Sequence, residues 1–104
     1  MSDAREQQFL QLVKDFPDSP MGHFSLGRHY LEQRRYPEAV RALEEAVRLD
    51  AAYAAALVAL GDALIGAGEI ARAREVLGRA RTVALEQKHE GLAEEIDGRL
   101  EDLG

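Results

Sequence analysis

The residues of this chain that could do chemistry are few, and their spacing limits what they can do. His23, His29 and His89 are the only imidazoles, and there is no cysteine. Two ligands on one helical face need i, i+4 spacing, which no pair of these histidines has. Without thiols, disulfides and thiolate metal sites are excluded. His23 reads as a packing residue, and His29 and His89 as solvent-facing ones. Gly61, Gly66 and Gly68 lie close enough together to suggest a phosphate-cradling loop. No Lys-Ser or Lys-Thr follows them and no strand precedes them, so they read as a helix break. The acids outnumber the bases, 19 to 13, yet no acid–base dyad or nucleophile–base pair can be assembled. The expectation is a chain that is not an enzyme, with no metal or cofactor.

A net charge of −6 argues against nucleic acid as partner, because neutralising phosphates takes a basic face. No run approaches the apolar length of a membrane span. The start, Met-Ser-Asp-Ala-Arg-Glu, is polar and acidic, unlike a secretory signal. A cytoplasmic protein is therefore expected. The 104 residues suit one domain. Ala and Leu dominate the apolar set and aromatics make up only 6%, a balance that favours helix over strand.

The elements that must position these residues repeat. Shifted by 34 residues, Leu26-Gly27 falls on Leu60-Gly61, Ala39 on Ala73, Leu43 on Leu77 and Ala46 on Ala80. Tyr30, Leu31, Tyr36 and Leu49 fall on Leu64, Ile65, Ile70 and Val83, keeping apolar character. Leu26 and Tyr30, with a partner near His23, make an apolar stripe on one helix, and Ala39, Leu43, Ala46 and Val47 make a stripe on the next. Gly inside a helix costs about 1 kcal/mol against Ala. Gly27 and Gly61 are therefore expected where a neighbouring helix passes close.

Boundaries are written locally. Ser19-Pro20 reads as an N-cap followed by Pro in the first turn, and Pro37 has the same role at the start of the next helix. Gly66-Ala67-Gly68 ends the helix before it. Helices are expected over roughly 2–15, 20–34, 37–49, 53–66, 69–87 and 90–103, with ends loose by about 2–4 residues.

With this pattern on view, the chain resembles the tetratricopeptide repeat family, whose first helix carries Trp, Leu-Gly and Tyr, followed by Ala, an aromatic and Pro. The first repeat here reads His23, Leu26-Gly27, Tyr30, Ala39, Leu43 and Ala46; the second reads Leu57, Leu60-Gly61, Leu64, Ala73, Leu77 and Ala80. The departures are His23 for Trp, Leu43 and Leu77 for the aromatic, and Ala51 and Leu85 for Pro. The resemblance implies an all-α fold, a short α-solenoid of antiparallel helix pairs forming one domain over 1–104. It divides into a half-repeat at 1–19, repeats at 20–53 and 54–87, and a capping helix at 88–104. Phe9, Leu12 and Pro17 stand 34 residues before Leu43, Ala46 and Ala51. Glu94-Glu95 stand where Leu-Gly would recur. Leu92, Ile96, Leu100 and Leu103 make the last helix amphipathic, as a cap requires. Its acids, six from Glu90 to Asp102, are expected to pair with the five basic residues from Arg72 to Lys88.

In that family the first helices of successive repeats line a concave face. The matching positions here are Met21, Phe24, Arg28 and Leu31, then Ala55, Val58, Asp62 and Ile65. Six are apolar, and Arg28 and Asp62 occupy equivalent places. A bare apolar face of this kind suits burial of a partner's helix or extended segment. The resemblance thus implies a protein–protein interaction module whose partner is another protein or peptide. The alternative is a homodimer or assembly subunit that covers the same face itself. Phe24 and Leu31 are expected to be dispensable for folding, and Tyr30 and Leu60 to be core. One subclass binds acidic C-terminal peptides through Lys and Asn in this groove. Phe24 and Val58 stand at the matching places, and Asp62 would repel a carboxylate, so that activity is not expected.

Overall fold

The computed structural model describes residues 3–104, so residue 2 of the first expected helix lies outside the described residues. The elements are α1 (Ala4–Asp15), α2 (Pro20–Glu32), α3 (Tyr36–Leu49), α4 (Ala54–Gly66), α5 (Ile70–Glu86) and α6 (Glu90–Asp102), with no strand among the described residues. Each helix packs on the next through a short turn, and α2 also touches α4. The result is an all-α solenoid of helix pairs.

Side chains cap the first two helices. The Asp3 carboxylate accepts from the Glu6 N–H at 2.7 Å, and the Ser19 hydroxyl accepts from the Met21 N–H at 3.3 Å. Asp3 is held below the ordinary carboxylate range, foremost by that N–H and then by His29. Pro20 sits in the first turn of α2 and Pro37 in that of α3. The exits of α2, α4 and α5 share a different device. The N–H groups of Arg35, Glu69 and His89 reach back to the carbonyls of Tyr30, Leu64 and Ala84 at 2.9, 2.9 and 2.7 Å. Such a cap places the preceding residue in the left-handed region. Those residues are Arg34 (φ 58°), Gly68 (φ 80°) and Lys88 (φ 59°). The expected break at Gly66-Ala67-Gly68 is therefore made by Gly68, while Gly66 closes α4 against the Tyr36 ring, where a side chain would collide. Arg34 and Gly68 are the same position of the repeat. Because an L side chain is strained there, Arg34→Gly should raise stability by up to about 1 kcal/mol, read as a higher melting temperature. A lower one would mean that the arginine side chain outweighs the backbone strain.

The core runs through α3, α4 and α5. Nine of the 13 residues of α4 are buried, because α3 and α5 flank it and α2 covers part of a third side. Leu43, Leu57, Leu64, Leu77 and Ile96 are its largest fully buried side chains. One contact occurs twice: Leu43 seats against Gly27, and Leu77 seats against Gly61. A Cβ built on either glycine would lie 2.5 Å from a leucine carbon, far inside van der Waals contact. The close approach expected from the sequence is made by the second helix of the same repeat.

The two ends differ from the middle. In α1 the only buried residue is Glu6, whose carboxylate accepts from Arg35 Nη1 at 2.5 Å. In α6, Ala93 and Ile96 are buried, and Leu92, Leu100 and Leu103 pack on the core as the amphipathic stripe requires. The α5 helix has 17 residues where α3 has 14, and this shifts the register of α6. The residues bounding the first helices of the pairs are Ser19, Tyr53 and His89, so the place of Leu-Gly falls on Ile96-Asp97 rather than on the expected Glu94-Glu95.

Candidate functional site

Of the eight positions expected on the concave face, five line one cavity of about 220 Å³: Arg28, Leu31, Ala55, Val58 and Asp62. Ala59 joins them from α4, and Leu92 and Arg99 join them from α6. The floor is aliphatic and the rim carries guanidinium groups. Met21, Phe24 and Ile65 do not line the cavity. Met21 lies open at 65% exposure, and Ile65 is half-buried against the core. Phe24 packs against Tyr53 with ring centroids 4.9 Å apart and planes tilted by 41°, and Arg28 lies over the Phe24 ring at 5.8 Å. Phe24 and Leu31 both pack on the core, so the expectation that folding can spare them is revised. A stripe at helical spacing shows which residues share a face; it does not show how far neighbouring helices roll over that face. Leu60 is buried as expected, and Tyr30 is half-buried on the same core.

Asp62 is the position most changed by the third dimension. Arg99 of α6 donates through Nε to Oδ1 at 2.9 Å and through the second guanidinium nitrogen to Oδ2 at 3.3 Å. This two-pronged hydrogen bond raises the arginine above its ordinary value. The Asp62 carboxylate is thereby committed within the chain, and the repulsion expected of it toward an acidic ligand is largely cancelled. Arg28 has no ion pair among the described residues and is exposed, its guanidinium lying over the Phe24 ring. The partnership of α5 with α6 expected from their charges is present in Arg81, which donates to Asp97 at 2.6 Å.

The histidines divide differently from expectation. His29 is buried, at 5% exposure, rather than solvent-facing. Its ring meets the edge of Phe9 at 5.6 Å, and its Nε2 lies 3.2 Å from Asp3 Oδ2. An ionised carboxylate only accepts, so Nε2 carries the proton, and Nδ1 is left buried without a partner. The repeat held a signal for this, since the residue 34 positions later is the fully buried Ala63. His89 is exposed as expected, and His23 is half-buried between α1 and α3.

A stack of helix pairs whose first helices share an open, partly apolar face defines a helical-repeat protein. The chain belongs to the tetratricopeptide repeat family, two models of which match residues 30–88 and 2–54. Among solved structures, the TPR2B domain in the pHsp70 complex of yeast Sti1 is similar, with a TM-score of 0.90 and 24% identity over 94% of this chain and 78% of that one. The TPR2AB domain in the pHSP90 complex of yeast Sti1 gives a TM-score of 0.89 and 24% identity over 94% of this chain and 38% of that one. The solution structure of the protein BPP2914 from Bordetella parapertussis gives 0.84 and 24% over 98% and 89%. At these identities the likeness is one of fold. No curated protein matches the chain significantly.

Proposed function

We propose that the protein is an interaction module, not an enzyme, that holds a segment of another polypeptide on the concave face of α2, α4 and α6. The observation that carries this reading is the cavity there, with an aliphatic floor, an exposed Arg28 and an Asp62 already satisfied by Arg99. Burying an apolar side chain on Leu31, Val58 and Leu92 supplies affinity. Arg28 then favours an acidic neighbour and disfavours a basic one, because charges at such a rim mainly set register and exclude wrong partners. The similar yeast domains, solved as complexes named for pHsp70 and pHSP90, support a protein or peptide as the class of partner. No helix of the described residues is long and apolar enough to cross a membrane, which is compatible with the cytoplasmic location we propose. The chain acts as one domain, divided as the repeat period suggests.

The test uses positions that are exposed and carry no core packing. Peptides are selected on the parent protein from a random display library, and the winners are titrated against Arg28→Glu and Ala55→Arg. Both variants should melt like the parent and bind at least tenfold more weakly. Unchanged affinity in both would remove the groove. A concentration-dependent doubling of mass that the same two substitutions abolish would instead establish the homodimer that covers its own face.

A further inference from the structure

A second cavity, of about 340 Å³, lies elsewhere, in the cleft between α1 and α3 above α2. It shares no lining residue with the concave face. Its α2 residues His23, Leu26 and Tyr30 project roughly a third of a turn around the helix from Phe24, Arg28 and Leu31. The repeat supplies an internal comparison. The same place in the second repeat is occupied by Val47, Leu57, Leu60, Leu64 and Val76, all of them buried. In the first repeat a polar His23 replaces Leu57, Tyr30 replaces Leu64 and the smaller Ala42 replaces Val76, and the space stands open. The floor remains apolar, because Leu26 and Ala42 are buried there. The acids at the rim are already engaged: Arg35 bonds Glu38 at 3.1 Å, and Arg48 grips Glu45 through two nitrogens. Arg41 stands between them on α3 with no ion pair among the described residues.

We infer that this cleft is a second binding site, for a small carboxylic acid with a flat apolar body. The body rests on Leu26 and Ala42 between the rings of His23 and Tyr30, and the carboxylate meets the Arg41 guanidinium. The opposite charge sign fits badly, because a cation would face Arg41 while both neighbouring acids keep their own arginines. A cavity of this size is at the lower end of those that hold small molecules, so a compact ligand is expected to bind in the millimolar to high micromolar range.

The experiment titrates 4-phenylbutyrate, and separately 4-phenylbutylamine, into isotopically labelled protein while backbone amide signals are followed. The acid should move the signals of residues around Leu26 and Ala42 saturably and leave those around Ala55 and Val58 still, and the amine should bind at least fivefold more weakly. Ala42→Val, which restores the packing of the second repeat, should weaken the acid at least fivefold without lowering the melting temperature. Arg41→Ala should bring the acid down to the affinity of the amine. Arg28→Glu should change nothing here, which separates this site from the concave one. Equal binding of acid and amine, saturable shifts confined to the concave face, or full affinity in both Ala42→Val and Arg41→Ala would each overturn the assignment.

Discussion

A chain ended after Glu90 should fail to melt cooperatively and should aggregate at concentrations where the full chain is monodisperse. The helix it loses, α6, buries Ala93 and Ile96 and lays Leu92, Leu100 and Leu103 on the core. It also removes Asp97 from Arg81 and Arg99 from Asp62. Emptying one site such as Ile96 costs about 2–5 kcal/mol, and a domain of this size holds roughly 5–15 kcal/mol in all. Removing the whole apolar stripe therefore exceeds what the remaining helices can cover. The measurement is calorimetry with light scattering. A soluble truncated chain with a sharp transition would make α6 an appendage, and the groove walls it supplies would then be dispensable too.

Gly61→Val should destabilise by about 1–3 kcal/mol through overpacking, although valine is the better helix former. The reason lies in the leucine seat: a Cβ at position 61 meets Leu77 Cδ2 at 2.5 Å and Cγ at 2.7 Å, and Leu77 is fully buried with nowhere to retreat. Gly98 provides the contrast within the same protein, since a Cβ there meets nothing within 4 Å. Gly98→Ala should gain about 0.5–1 kcal/mol from helix propensity alone. Denaturant melts of the two variants against the parent give opposite signs if close approach is what selects glycine. Two gains would show that Leu77 can move aside.

These residues also show why some features could be read from the chain and others could not. The leucine–glycine seats, the caps at Ser19-Pro20 and the amphipathic last helix are local or periodic, so spacing alone exposes them. The burial of His29 was also encoded, in its register with Ala63, but the type of side chain outweighed the position. The pairing of Asp62 with Arg99 was not encoded in this way. It joins residues 37 apart across α5, and the helix boundaries read from the sequence give α5 its extra length without fixing which residue of α6 faces α4. The concave face was thus legible as a set of positions. Which of its charges remain free depends on how α6 docks.

Asp97 stands at the same distance from the residue preceding its helix as Gly27 and Gly61 do from theirs. Where those glycines admit a leucine, it offers a carboxylate already bonded to Arg81. Two copies of this chain fused end to end would therefore yield beads joined by a hinge rather than one continuous superhelix. The following α1 would bring Phe9 where its counterpart Leu43 seats on glycine, and it would meet a bonded acid. An engineer seeking a longer rod from this protein would have to begin by rewriting that residue and its arginine.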